Sequence, residues 1–166
     1  LVAGPVDLAT PKGVRRVNVE SARERLSAAR EAFSECDALF MTAAVCDFRP
    51  VRRLSGKWRK KDDGQERASL ELVSNPDILA SITRRKGGRL VVGFALETGD
   101  GLRRAKRKLE KKRMDYVVLN GPLALNASRT SVTILGRDGS QRRLTDRTKR
   151  AVAKELVGLL SPDAGR

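Results

Sequence analysis

Histidine is absent from this sequence, and cysteine, the other usual ligand of protein metal centres, is scarce. The 166 residues include no His and two cysteines, Cys36 and Cys46. Structural zinc and iron–sulfur sites need clusters of Cys or His ligands, so the composition argues against both kinds of site. Two cysteines without a framework of pairs are typical of a protein from a reducing cytosol. We therefore expect free thiols, no metal-ligating residues and a cytoplasmic location.

Long hydrophobic runs are also missing. No stretch approaches the roughly 18 consecutive apolar residues that a membrane-spanning helix requires, so we expect neither a membrane span nor a membrane partner. The first ten residues, "LVAGPVDLAT", lack the basic start and the long apolar segment of a secretory signal peptide. The chain is long enough for one domain with a core of its own.

Aromatic residues are few, and acidic residues are outnumbered by basic ones. Aromatics make up 4% of the chain, and 35 Lys and Arg against 20 Asp and Glu give a net charge of +15. Such a charge attracts polyanions. Proteins that bind single-stranded nucleic acids, however, stack bases on aromatic side chains, which are few here. No recognised DNA- or RNA-binding motif is present either. Nucleic-acid binding therefore ranks last among three hypotheses, behind a nucleotide-dependent enzyme and a nucleotide-binding or dimerising remnant without catalysis.

The sequence does contain an alternation of short apolar runs with amphipathic helices. The runs "DALFMTAAV", "RLVVGFAL" and "DYVVLN" show no polar alternation, which is typical of strands buried on both faces. Strand–helix repetition predicts a Rossmann-like, three-layer α/β/α fold with a mostly parallel sheet and a β-hairpin arm. We expect a single domain over residues 1–160 and a polar tail at 161–166.

Local signals mark the ends of the predicted elements. Ser21 and Glu24 form a capping box at the start of the first helix. Asn75 is predicted to cap a second helix, with Pro76 at the first helical position, and Thr145 to cap the last one. The tetrapeptide "RDGS" between two strand-like runs predicts a hairpin turn.

Residues 50–73 interrupt the strand–helix pattern. The segment "FRPVRRLSGKWRKKDDGQERASLELV" contains two short strand-like pieces around "KDDG". An insertion of this kind between a strand and a helix is typical of an arm that pairs across a dimer or closes over a site. We therefore expect residues 50–73 to form a flap or dimerisation arm.

One predicted helix is unusually basic. Lys108 and Lys112 lie four residues apart and share a face, at a cost of about 0.2–0.5 kcal/mol for a like-charged pair. Either this face is only solvated, or it meets an anion. The cations of this segment are Arg103, Arg104, Lys106, Arg107, Lys108, Lys111, Lys112 and Arg113.

Several polar residues follow the predicted strands, where ligands of parallel sheets usually bind. Asp47 could bind a ribose or a phosphate-bound Mg²⁺, or only bond a turn. Lys57 could be a solvated charge of the arm. The turn 75–77 could cap a helix or receive an anion at the helix N-terminus. Phe94 could be a core residue or could present its ring to a base.

Six sequence motifs occur together in one order: "GPVDLATPKGVRRVNVESARERL", "TAAVCDFRP", "GKWRKK", "LELVSNPDIL", "VVGFALET" and "MDYVVLN". With the Lys108 and Lys112 pair, this order resembles the phosphopantothenoylcysteine synthetase domain. That domain is often the C-terminal half of the bifunctional flavoprotein of coenzyme A synthesis. The resemblance covers nearly the whole chain.

The resemblance implies a homodimeric ligase that uses CTP and Mg²⁺. The carboxylate of 4′-phosphopantothenate attacks the α-phosphate of CTP, which gives an acyl-cytidylate and pyrophosphate. The amine of cysteine then attacks the acyl carbon and releases CMP, which leaves 4′-phosphopantothenoylcysteine. A phosphopantothenoylcysteine decarboxylase domain, fused or upstream, is the further partner that the resemblance implies.

The resemblance also assigns residues. Lys57, on the arm, matches the lysine that opens the family's "KIKK" and is implied to be catalytic in the second step. The implied nucleotide-binding residues are Ala43, Asp47, Lys57, Asn75, Pro76, Asp77, Ile78, Phe94, Lys108 and Lys112.

The family also has motifs that this sequence does not contain. They are a first strand, a glycine-rich "SGGT" turn, an "EPIDPVR" stretch and a "TNxSSG" segment, which supply phosphate-binding amides. The expectation is therefore a synthetase domain truncated at its N-terminus, which an upstream segment would complete for catalysis.

Overall fold

The computed structural model of this chain describes residues 1–56, 67–121 and 127–160. Within these ranges the chain forms nine strands and four helices. Their bounds are β1 Val2–Ala3, β2 Val17–Asn18, α1 Ala22–Ser34, β3 Ala38–Met41, β4 Phe48–Pro50, β5 Leu72–Ser74, α2 Ile78–Thr83, β6 Leu90–Leu96, α3 Gly101–Lys111, β7 Tyr116–Asn120, β8 Arg129–Gly136, β9 Gln141–Thr148 and α4 Lys149–Gly158.

The main sheet has five strands in the order β3-β6-β7-β8-β9. Strands β3, β6 and β7 are parallel, whereas β8 pairs antiparallel with both β7 and β9. The turn between β8 and β9 is the predicted "RDGS" hairpin, with Gly139 at a φ of 86°. The predicted Rossmann-like α/β fold is confirmed. Its sheet is mixed because this hairpin adds two antiparallel pairings.

Helices cover both faces of the main sheet. Alternate residues of β6 point to opposite faces, so Val91 packs with α1, α2 and α3, whereas Val92 packs with α4. Both valines are fully buried. Burial of this kind contributes about 1.5–3 kcal/mol for each aliphatic side chain. The two packed faces give the predicted three layers.

Strand β3 differs from the expectation of burial on both faces. Each of its four residues is only half-buried. The reason is its place in the described structure, where β3 is the edge strand of the main sheet and pairs with β6 alone. Strands β1 and β2 form a separate parallel pair, against which α1 packs.

The capping box at the start of α1 is confirmed. The Ser21 hydroxyl accepts a hydrogen bond from the Glu24 amide at 3.2 Å, and the Glu24 carboxylate accepts one from the Glu20 amide at 2.9 Å. The bonds from Glu20 and Ser21 lower the pKa of the Glu24 carboxyl from its ordinary value. The sequence pattern therefore placed this helix start correctly.

The two other predicted caps are wrong. Helix α2 is capped by Asp77, whose carboxylate accepts a hydrogen bond from the Ala80 amide at 3.0 Å. Asn75 does not cap it, because its side chain bridges to another segment. Helix α4 is capped by Thr148 rather than Thr145, because β9 continues as far as Thr148.

The arm begins at a short antiparallel pair. Strands β4 and β5 pair with Phe48 opposite Ser74 and Pro50 opposite Leu72. The predicted "KDDG" turn and Lys57 lie outside the described residues. Within the described ranges, no helix combines the length and the apolar character that crossing a membrane requires.

Candidate functional site

A pocket lies beyond the carboxyl ends of β3 and β6. Its walls are the loop after β3, the turn before α2, the end of β6 and one face of α3, and its volume is about 350 Å³. In parallel sheets the carboxyl ends of neighbouring strands open on the same edge, which is where ligands usually bind. The size is within the range of small-molecule sites.

The structure brings most of the predicted nucleotide-binding residues together around this pocket. Lys57 lies outside the described residues, so the structure does not place it. The nucleotide-binding role of all these residues stays a prediction. The lining residues among them are Ala43, Asp47, Asn75, Pro76, Asp77, Ile78, Phe94, Lys108 and Lys112.

Asp47 presents an exposed carboxylate at the pocket wall. Its position is fixed through the backbone, because its carbonyl accepts a hydrogen bond from the Asn75 amide at 2.7 Å. Among the described residues, no salt bridge engages the Asp47 carboxylate. The carboxylate is therefore free of those cations and can contact a bound molecule.

The side chain of Asn75 joins two walls of the pocket. Its amide nitrogen donates to the Cys46 carbonyl at 2.9 Å, and its oxygen accepts a hydrogen bond from Arg49 at 3.2 Å. Arg49 also donates to the Ser74 carbonyl at 2.6 Å. These bonds hold the loop after β3 against the turn before α2, so Asn75 shapes the pocket.

Each of the two pocket lysines is paired with a carboxylate. Lys108 Nζ lies 2.5 Å from Glu97 Oε1, and Glu97 is only 10% exposed. Lys112 Nζ lies 3.0 Å from Asp77 Oδ2. A second cation, Arg104, lies 3.4 Å from the other oxygen of Glu97. Lys108 and Lys112 are therefore not simply solvated, and each has a counter-charge from the protein even without a ligand.

The sequence analysis did not select Glu97 as a pocket residue. The signal that could have found it is the position of an acidic residue directly after Leu96, the last residue of β6. Polar residues there face the carboxyl edge of the sheet. Asp77 likewise occupies the N-terminus of α2 with its own carboxylate, so that helix end is not an open anion site.

Phe94 contacts the core, as one of its two predicted roles requires, and its other role, presenting its ring to a base, stays a prediction. It packs against the core cluster under α4, and it also lines the pocket. On the α4 face it borders a second, mainly apolar cavity of about 460 Å³. Two buried atoms of that cavity's lining, Asn120 Oδ1 and Thr130 Oγ1, have no hydrogen-bond partner among the described residues. The ring therefore separates two cavities.

Comparison with known proteins identifies the family. The family described as "DNA/pantothenate metabolism flavoprotein C-terminal domain" matches residues 1–162. The chain belongs to this family. This confirms the resemblance that the sequence motifs carry.

Curated members of the family are longer than this chain. The coenzyme A biosynthesis bifunctional protein CoaBC of Vibrio vulnificus strain YJ016 is 38% identical over 162 residues, which are 95% of this chain and 40% of that protein. The protein of the same name from Bacillus subtilis is 35% identical over 95% of this chain and 39% of its own length. The chain thus spans about two fifths of these relatives.

Solved structures show the same fold. The C-terminal domain of a CoaBC protein matches 95% of this chain and 70% of its own, with a TM-score of 0.79 and 31% identity. A Cab2 mutant solved in complex with phosphopantothenate-cysteine matches 87% of this chain and 52% of its own, with a TM-score of 0.63 and 18% identity. At that identity the second likeness shows the fold alone.

Among the described residues, a divalent cation at this pocket would find a single carboxylate free of salt bridges rather than a cluster of ligands. In the described part of the chain, no cluster of three acidic, Cys or His side chains could hold a metal ion. Mg²⁺ in nucleotide sites is commonly held by one or two carboxylates together with substrate phosphates. Asp47 can supply such a carboxylate, because it lines the pocket and forms no described salt bridge.

Proposed function

We propose that this chain is the ligase part of a coenzyme A biosynthesis protein. It joins 4′-phosphopantothenate to cysteine at the expense of CTP. The observation that carries the proposal is the meeting of Asp47, Phe94, Lys108 and Lys112 around one pocket in a member of this family. The names of its relatives, bifunctional proteins of coenzyme A biosynthesis, support a role in that pathway.

The two lysines are proposed to contact the phosphates of CTP. At present Glu97 and Asp77 balance their charges, so a phosphate oxygen would share each ammonium with a carboxylate. Both lysines keep part of their surface open, at 45% and 28% exposure. An ammonium has three donors and can serve two acceptors at once. The carboxylates therefore aim the lysines and need not be displaced.

In the first reaction a carboxylate oxygen of 4′-phosphopantothenate bonds to the α-phosphorus of CTP. The bond between that phosphorus and the oxygen bridging to the β-phosphate breaks, and pyrophosphate leaves. Negative charge grows on the transferring phosphoryl group, which nearby cations stabilise. Mg²⁺ held with the phosphates would add Lewis-acid polarisation. Lys108 and Lys112 supply the protein's part of that charge.

In the second reaction the cysteine nitrogen bonds to the acyl carbon, and CMP leaves with the electrons of the acyl–phosphate bond. The nitrogen loses its proton to solvent or to a base. The family resemblance gives Lys57 a role in this step. Holding both substrates in one pocket supplies a large part of the rate acceleration.

We also propose that the full-length protein forms a homodimer and carries a fused decarboxylase domain. Strands β4 and β5, at the base of the expected arm, carry exposed large apolar side chains. Phe48 is 59% exposed and Leu72 is 51% exposed. Apolar side chains exposed on an arm are typical of a surface that pairs with another chain. The greater length of the bifunctional relatives supports a further catalytic part in the same polypeptide.

The test is pyrophosphate release from CTP by the full-length protein, with and without cysteine and 4′-phosphopantothenate. We expect release that depends on 4′-phosphopantothenate, and amide product that depends on cysteine. Asp47→Asn should lower kcat by about 100-fold if its carboxylate orients the nucleotide's metal, since a misplaced substrate loses that much. Asp7→Asn, an exposed carboxylate outside the pocket, is the control. Absence of turnover in the wild-type protein would contradict the proposal, and CTP binding without turnover would instead favour a non-catalytic remnant.

A further inference from the structure

A second polar cavity lies at the opposite end of the sheet from the candidate nucleotide pocket. It is formed where the end of α1 meets the end of α2, beside the residue that precedes β6, and its volume is about 460 Å³. Strand β6 has seven residues, at about 3.3 Å each, so its two ends are roughly 20 Å apart. The cavity is therefore distinct from the site proposed for CTP.

Four arginines line this cavity, which we name the arginine pocket: Arg30, Arg84, Arg85 and Arg89. The first three are exposed and Arg89 is half-buried. The pocket's other lining residues are neutral, so none of the described lining residues is acidic. Over the described ranges, none of the four arginines forms a salt bridge. The nearby carboxylate of Asp115 is paired with Lys86 at 2.5 Å.

One arginine of the pocket is held in place by the fold. Arg89 donates to the Phe33 carbonyl at 2.9 Å, and its guanidinium carbon lies 4.9 Å from the centre of the Phe33 ring. Phe33 is itself buried, with 5% exposure. Arg89 is thus a preorganised donor rather than a freely moving surface charge. Preorganisation lowers the conformational entropy that the arginine side chain loses when a ligand binds.

Helix dipoles explain part of this charge. A helix C-terminus carries about half a negative elementary charge, and cations near it are stabilising. The ends of α1 and α2 at this cavity together offer about one negative charge. Four arginines line the same space, and these two helix ends offset only part of their charge. This excess favours a multiply charged anion.

We propose that the arginine pocket binds a small molecule carrying a diphosphate or triphosphate group. Guanidinium groups match phosphate oxygens in pairs of hydrogen bonds, and several guanidiniums can bind several linked phosphoryl groups at once. The volume is typical of a small-molecule site, and a concave pocket suits a compact ligand better than a nucleic-acid duplex. Ser81 also lines the pocket and has a hydroxyl that can donate a further hydrogen bond. The site is independent of the reaction proposed above.

The test is an NMR titration of the isotope-labelled full chain with inorganic pyrophosphate at physiological ionic strength. We expect two separate groups of shifting amides. One group covers residues 30–34 and 81–89, and the other covers residues 43–47 and 94–96. Replacing Arg30→Ala and Arg85→Ala together should weaken the first group's affinity by about tenfold or more, because two charge-assisted contacts are lost. The second group should keep its affinity.

The matched control carries Arg107→Ala and Arg143→Ala, two exposed arginines outside both pockets. It removes the same net charge and should leave both affinities within about twofold, since distant exposed charges are screened. Shifts confined to residues 43–47 and 94–96 would overturn the proposal. Equal weakening in the variant and the control would also overturn it, because the effect would then be one of net charge. If the double variant is unfolded by its amide spectrum, Arg85→Ala alone is compared with Arg107→Ala alone, which removes the same single charge.

Discussion

At the scale of residues, the sequence predicted which side chains surround the pocket better than what each of them contacts. Asp47, Phe94 and Lys108 could be selected because each matches a family motif, and all three line the pocket. Glu97, the partner of Lys108, also lies in a family motif, but the contact between the two was not predicted. It lies 11 residues earlier in the chain, and only the packing of α3 against the end of β6 brings the two together.

Lys108→Ala should weaken CTP binding by about tenfold, because one charge-assisted hydrogen bond to phosphate is lost. The carboxylate of Glu97 would also lose one partner and repel the nucleotide. Isothermal titration of the full-length protein with CTP measures the change. Lys111→Ala is the control, since Lys111 is an exposed lysine of α3 that does not line the pocket. Equal losses in the two variants would show that Lys108 acts only through net charge.

At the scale of elements, periodicity located the helices, but two of their starts depend on contacts that periodicity does not contain. Ser21 and Glu24 bond each other locally, so their capping box is readable in the sequence. Asn75 has the right residue type for a cap, yet its side-chain amide donates to the Cys46 carbonyl and holds the loop after β3. Thr145 is displaced as a cap because Thr148 still pairs with Arg129 across the hairpin.

The start of α4 gives a direct test of this difference. Thr148→Ala should lower the free energy of unfolding by about 1 kcal/mol, because its hydroxyl accepts a hydrogen bond from the Ala151 amide. Thr145→Ala, three residues earlier in the exposed part of β9, should cost less than about 0.5 kcal/mol. Urea unfolding of both variants measures the costs. If Thr145→Ala cost more than Thr148→Ala, the helix cap would be Thr145, as the sequence predicted.

At the scale of the whole molecule, the alternation of strands and helices was enough to predict that the loops after β3 and β6 open on one edge of the sheet. The edge position of β3 could not be predicted, because its apolar run reads as a central strand. The arginine pocket could not be predicted from the sequence either. Arg30 and Arg85 are far apart in the chain, and they line one cavity only because α1 packs against α2.

The most direct measurement is a crystal structure of the full-length protein with CTP and Mg²⁺. The account predicts the nucleotide in the pocket at the carboxyl ends of β3 and β6. Its base should lie beside Phe94 and its phosphate oxygens about 2.7–3.2 Å from the nitrogens of Lys108 and Lys112. CTP bound elsewhere, for example only in the arginine pocket, would contradict the account.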